Sequence, residues 1–264
     1  MLGLGSSLAG GAALESIFPN AFSIEFDGSD DGYLVNDAAI FSPNYVDGNG
    51  FSFGFWIKTT DDSGTLMQKA EFTGNREYIV TLDANGKVKV AFYSDGGGAP
   101  FHGQRTILSN SAVNDGNWQH IVVTWNLNAA FGSSNIKMYI NGSQDTSAVH
   151  GTNSQTFNSV TNGPAQLHIM CYQHVGPSIL ANIAGKMDEL FFVNDELSSS
   201  QVSTIYNAKG KIDMSTISNI VAWYRFGDSP DTHNKIHNQI DLFNNVGNAQ
   251  GSMTSGDVTS DVPE

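Results

Sequence analysis

The stretch from residue 113 to residue 142 most constrains what this chain can fold into. Asn114, Asp115, Gly116 and Asn117 supply turn chemistry, their short polar side chains bonding their own backbone. Gln119, Ile121, Val123 and Trp125 then share one face at period two. Ile136, Met138 and Ile140 repeat that spacing before Asn141–Gly142, a dipeptide that tolerates the positive backbone angles of a two-residue hairpin. The pair predicts adjacent antiparallel strands.

The same alternation recurs along the chain. Phe22, Ile24 and Phe26 precede a polar turn at 27–32. Phe51, Phe53, Phe55 and Ile57 form an apolar face, with Ser52, Gly54, Trp56 and Lys58 opposite. Val88, Val90 and Phe92 follow another turn at 83–86, and further strands are predicted at 65–69, 78–82, 167–172, 181–193 and 220–226. One helix is predicted at 198–208. Ser198 is its N-cap and Gln201 completes a capping box, while Leu197 and Val202 form a hydrophobic staple. Many short strands between turns predict an all-β, two-sheet antiparallel jelly-roll sandwich. Residues 21–245 read as one domain, 1–20 as an N-terminal docking arm and 246–264 as an extended C-terminal tail.

Charge narrows the partners. The formal net charge is −14 over 264 residues, no Lys or Arg precedes Lys58, and only Lys235 follows Arg225. Such a surface repels phosphates, so neither nucleic acid nor an anionic membrane is expected as a partner. The single cysteine, Cys171, shares its phase with Leu167 and Ile169 and reads as a buried, inert thiol. The start, Met1 to Leu14, has an apolar character without the basic residues of a secretory leader. No run reaches the roughly 18 apolar residues of a membrane span.

Five segments in order resemble the laminin-G-like, concanavalin A-like family: residues 22–28, 51–58, 118–125, 136–142 and 185–201. Position 119 departs from the family pattern, with Gln where many members carry His. The resemblance implies two curved antiparallel sheets and a membership that binds glycans, protein ligands or Ca²⁺, with some relatives hydrolysing polysaccharides, so fold alone does not fix function. The layout of both ends is similar to that of laminin-G-like proteins from marine bacteriophages, which implies a virion location and partners among other virion proteins or copies of the same chain, met through the N-terminal arm.

Catalytic constellations are sparse. Laminarinase-type relatives place their acid and nucleophile on one strand as E-x-D-x-x-E. Glu25 and Asp27 begin such a string, but position 30 is Asp and the segment runs into a turn. Asp188 and Glu189 are adjacent, so on a regular strand they point to opposite faces. The seven histidines are scattered, and no Gly-x-Ser-x-Gly elbow or phosphate-binding loop occurs. Hence no catalytic residues are expected. For a cation, the resemblance implies a structural Ca²⁺ site joining Asp27 in the first turn to Asp188 on a late strand, with oxygen ligands of the kind this ion takes. For a glycan, exposed aromatics beside polar groups are needed, and Trp56, Tyr93, His102 and Trp118 are the candidates. The expected function is a non-enzymatic virion structural or decoration protein whose jelly roll binds host-surface glycans. The alternatives are a secreted bacterial adhesion module and, third, a laminarinase-type hydrolase.

Overall fold

The computed structural model describes residues 19–43, 50–71, 75–94, 103–127, 135–151, 160, 162–173, 179–180 and 183–264. In chain order the strands are β1 (Ser23–Asp27), β2 (Gly32–Val35), β3 (Gly50–Lys58), β4 (Gly64–Ala70), β5 (Arg76–Leu82), β6 (Lys87–Tyr93), β7 (Gln104–Ala112), β8 (Gln119–Asn126), β9 (Ile136–Ile140) and β10 (Ser143–Gln144). They continue with β11 (Thr146–Gly151), β12 (Leu167–Ile169), β13 (Tyr172–Gln173), β14 (Ile179–Leu180), β15 (Ala184–Val193), β16 (Ile220–Tyr224), β17 (Lys235–Ile236), β18 (Gly247–Gln250) and β19 (Val258–Thr259). Helix α1 spans Ser199–Ala208, between β15 and β16.

An eight-stranded sheet runs β10-β9-β8-β3-β15-β1-β19, with β16 also paired to β15. A nine-stranded sheet runs β11-β7-β6-β5-β4-β12-β2-β18-β17. All their pairings are antiparallel. This is the predicted sandwich. Phe51, Phe53, Phe55 and Ile57 point into its core, as do Tyr78, Val80, Val88, Val90, Phe92, Ile121 and Val123. The predicted hairpin is present too, with Asn141 at φ 51° and Gly142 at φ 76° between β9 and β10.

Much of the outer face of the eight-stranded sheet is covered. Helix α1 and the chain around it fold across that face and build a second core of Val122, Tyr139, Phe191, Val193, Leu197, Val202, Ile205, Met214 and Trp223. Gly54 makes this close layer feasible: a Cβ there would lie 2.5 Å from the Phe191 ring and 2.8 Å from Val122. The helix begins as its sequence predicts. Ser198 and Gln201 form both halves of the capping box, and Lys209 closes the other end in the left-handed region.

The segment expected as an extended tail, 246–264, is instead part of the sandwich. β18 pairs with β2 over four residues, β19 pairs with β1, and Met253 reaches the core. Its composition conceals this because a strand needs backbone partners, not large side chains. Gly247 is where it is for close packing: a Cβ there would sit 2.5 Å from Ile236. Of the expected N-terminal arm, residues 1–18 lie outside the described residues. Asn20 is buried in the domain, so the domain begins before residue 21.

Candidate functional site

Strand β15 carries the main irregularity of the eight-stranded sheet. Its first half pairs with β1 and its second half with β16, while β3 runs along its other edge. At the changeover the register slips between Asp188 and Phe191, and Glu189 adopts φ 52°. Such a bulge turns two successive side chains toward one side. Two expectations fall with it. Asp188 does not share the phase of Leu190 and Phe192, which enter the main core; it lies beside Trp56 on the outer face. Nor do Asp188 and Glu189 diverge; both enter one buried polar cluster.

That cluster surrounds Arg225. The guanidinium donates to Glu189 Oε1 at 3.3 Å, to Asp228 Oδ2 at 2.5 Å and to the carbonyl of Pro19. Glu189 Oε2 also accepts from the Trp223 indole. Asp188 accepts from the Asn20 amide at 2.9 Å and from the Glu189 backbone at 2.8 Å, and Asp228 accepts from the backbone of Ala21. Two buried carboxyls, Glu189 and Asp228, thus share one guanidinium, with Asp188 beside them held by Asn20 and the Glu189 backbone. Burial pushes Glu189 up to about 8, against the opposing pull of Arg225, and drives Asp188 well above the usual carboxylate range, the neighbouring Glu189 charge adding to the effect. The adjoining cavity is narrow, about 10 Å³, and bounded by Trp56, His120, Glu189 and Phe191 among others. It has room for a single water, not a sugar ring.

Asp27 and Asp188 do not meet. Asp27 pairs with Ala184, four residues from Asp188 along β15, which is roughly 13 Å of strand. Both oxygens of Asp188 already accept hydrogen bonds, so it is a structural anchor. Asp27 gathers instead with Asp30 and Asp31, with one carboxylate oxygen from each lying within 4.8 Å of the others. Asp27 Oδ1 accepts from the backbone of Ser29, and Asp30 Oδ1 from Ser252. Asp31 is buried, and its Oδ1 has no hydrogen-bond partner. Burial raises the Asp31 carboxyl, and the charges of Asp27, Asp257 and Asp30 raise it further. An orphaned buried oxygen among three carboxylates fits a hard cation.

The glycan candidates fare unequally. Trp56 is 2% exposed, stacked 5.6 Å from Tyr206 of α1 and 4.8 Å from His120, so it is core. The sequence shows which strand face it occupies but not that a helix covers that face. His102 lies outside the described residues. Tyr93 stands half-buried on the outer face of the nine-stranded sheet, with the Arg76 guanidinium 5.8 Å from its ring centre. Trp118 is half-buried, and its indole donates to Asp261 at 2.9 Å.

Around Tyr93 the structure brings together residues that strand alternation alone did not single out. Tyr78, Val80 and Phe92 face the core, leaving Arg76, Ile79 and Tyr93 on the outer surface. With Thr65 and Gln68 of β4 and Tyr172 and Gln173 of β13, Arg76 and Ile79 line an open groove of about 360 Å³. That is the size of a small-ligand site, and it combines an aromatic ring with amide, hydroxyl and guanidinium groups. The missed signal was the polar phase of β4 and β5. Cys171, next to Tyr172, is buried as expected, and burial raises its thiol to about 12.

Comparison with known proteins agrees with this architecture. Residues 27–203 match the model of the concanavalin A-like lectin/glucanases superfamily, and the chain belongs to that family. A search of curated proteins returns no match. Among solved structures, it is similar to a Bacteroides ovatus protein provisionally described as carbohydrate binding, at 14% identity and TM-score 0.58, covering 92% of this chain and 61% of that one. It is also similar to the heptameric SAP-like pentraxin of Limulus polyphemus, at 14% identity and TM-score 0.45, covering 71% of this chain and 82% of that one. A third similarity is to the CBM40 of the Ruminococcus gnavus IT-sialidase, at 14% identity and TM-score 0.47, covering 70% of this chain and 96% of that one.

Proposed function

We propose that this chain is a non-enzymatic glycan-binding module that serves as a virion structural or decoration protein. The groove of Thr65, Gln68, Arg76, Ile79, Tyr172 and Gln173 carries the binding half of that reading. Pyranose rings offer an apolar face to Tyr172, and their hydroxyls suit the amides of Gln68 and Gln173. The non-enzymatic half rests on the carboxyls at Arg225 being committed to structural hydrogen bonds, Glu189 and Asp228 with Arg225 and Asp188 with Asn20. Binding of the purified chain to an array of host-surface oligosaccharides, compared with Tyr172→Ala, tests the groove. Equal binding by both proteins would refute it.

The decoration half rests on the resemblance of the two ends and on the pinning of residues 19–21 by Arg225, Asp188 and Asp228. That anchorage supplies a firm root for a leading segment that docks on other virion subunits or copies of this chain. Immunogold labelling of particles tests it; a chain found only free in the medium fits the adhesion reading instead. A structural Ca²⁺ would be held by Asp27, Asp30 and Asp31, replacing the mutual repulsion of their carboxylates with a shared cation.

A further inference from the structure

On the outer face of the eight-stranded sheet, beside the end of β3, the chain places its own carboxylate in a basic cradle. Asp261 Oδ2 accepts from Lys58 Nζ and from Lys186 Nζ, each at 2.7 Å, and Oδ1 accepts from the Trp118 indole at 2.9 Å. Two of only twelve basic residues in a chain of net charge −14 converge here on one acid. The same two lysines line an open cleft of about 250 Å³, with Thr59, Thr60 and Gly116 on its walls and Glu25 at its edge, 3.7 Å from Lys186. The segment bearing Asp261 is tied to the first strand. β19 contributes two residue pairs to β1, and Ser23 Oγ donates to the Asp261 carbonyl.

We propose that Lys58, Lys186 and Trp118 form a recognition site for a carboxylated sugar, a uronate or sialate, which Asp261 occupies in cis as an internal competitor. Two ammonium groups and an indole N–H around one carboxylate give charge-assisted hydrogen bonds of the strong kind. The neighbouring cleft gives space for the ring that a side-chain carboxylate lacks. Those hydrogen bonds keep Asp261 ionised down to about 2 despite the opposing effect of its partial burial, so the site prefers a full negative charge. The cradle lies on the opposite sheet from the Tyr172 groove, and it rests on the glycan-binding reading only for the choice of a saccharide as ligand.

The test follows the Trp118 Nε1–H resonance by NMR in the full chain and in Asp261→Asn, titrated with glucuronate, N-acetylneuraminate, acetate and galactose. Asp261→Asn keeps the shape of the internal ligand but not its charge. It is expected to bind an acidic sugar roughly tenfold tighter than the unaltered chain, with no response to galactose and a weaker one to acetate. Lys186→Met in that background removes the gain. No gain in Asp261→Asn, or equal responses to acetate and both sugar acids, overturns the proposal. If Asp261→Asn does not fold, the unaltered chain in high glucuronate is expected to move the Trp118 indole and Thr259 amide signals together, and unmoved signals overturn it. Tyr172→Ala leaves all these responses intact, so failure at the groove and failure at the cradle are told apart.

Discussion

Glu189→Gln probes the buried cluster directly. Glu189 is 4% exposed; its carboxyl shares the Arg225 guanidinium with Asp228 and lies next to the buried Asp188. Its folded-state value, raised by burial from 4.5 to about 8, means that the folded protein holds this proton more tightly than the unfolded chain. The stabilisation is therefore complete below the unfolded value and is lost as pH rises through about 8. Between about pH 6.5 and pH 9 the loss comes to about 2 kcal/mol, and the raised Asp188 acts in the same direction. The buried histidines His120 and His168, depressed by burial to about 3 and about 4, are neutral across that window and do not blur it. A chain of this size should lose roughly 4–8 °C of Tm over the window. Glu189→Gln keeps an acceptor for Arg225 but carries no titrating proton, so its Tm should fall by less than half as much. The assay is a melting series by circular dichroism in buffers of constant ionic strength. A flat Tm for the unaltered chain, or an equal slope for both proteins, would refute the assignment of the shared proton to this cluster.

Other perturbations reach separate parts of the molecule. Tyr172→Ala should weaken glycan binding in the groove by roughly tenfold, the scale of losing one aromatic contact, with Tm nearly unchanged; isothermal titration against the best array ligand checks it. Millimolar Ca²⁺ should raise Tm over that in EDTA by an amount worth up to about 3 kcal/mol at a hundredfold excess over Kd, and Asp31→Asn should abolish the difference. Gly54→Ala drives a methyl into Phe191 and Val122, so it should cost about 1–3 kcal/mol in urea unfolding, whereas Ser198→Ala should cost about 1 kcal/mol through the lost helix cap.

The sandwich was legible because β3, β6, β8 and β9 each turn one alternating apolar face into the main core, and Asn141–Gly142 fixes the hairpin after β9. Capping residues announced α1 for the same reason: Ser198 and Gln201 act within one turn of each other. What stayed hidden depends on distant parts of the chain. Trp56 reads as exposed on its own strand, and only the return of Tyr206 across the sheet buries it. Asp188 reads as inward because strand phase is counted without the slip at Glu189. β18 lacks a hydrophobic signature because its role is to lend backbone groups to β2. The groove needed the pairing of β4 with β5 and the approach of β13, which no local pattern encodes.

The exchange of β1 for β16 along one edge of β15 has a consequence for assembly. The gap left between those two strands is where Pro19, Asn20 and Ala21 are gripped, on the side of the eight-stranded sheet that faces away from its partner sheet. The Tyr172 groove opens on the reverse side of the molecule, with both β layers in between. A partner seated over residues 19–21 would therefore leave the groove uncovered but would lie on the same sheet face as the Asp261 cradle, so mounting bears on the cradle and not on the groove.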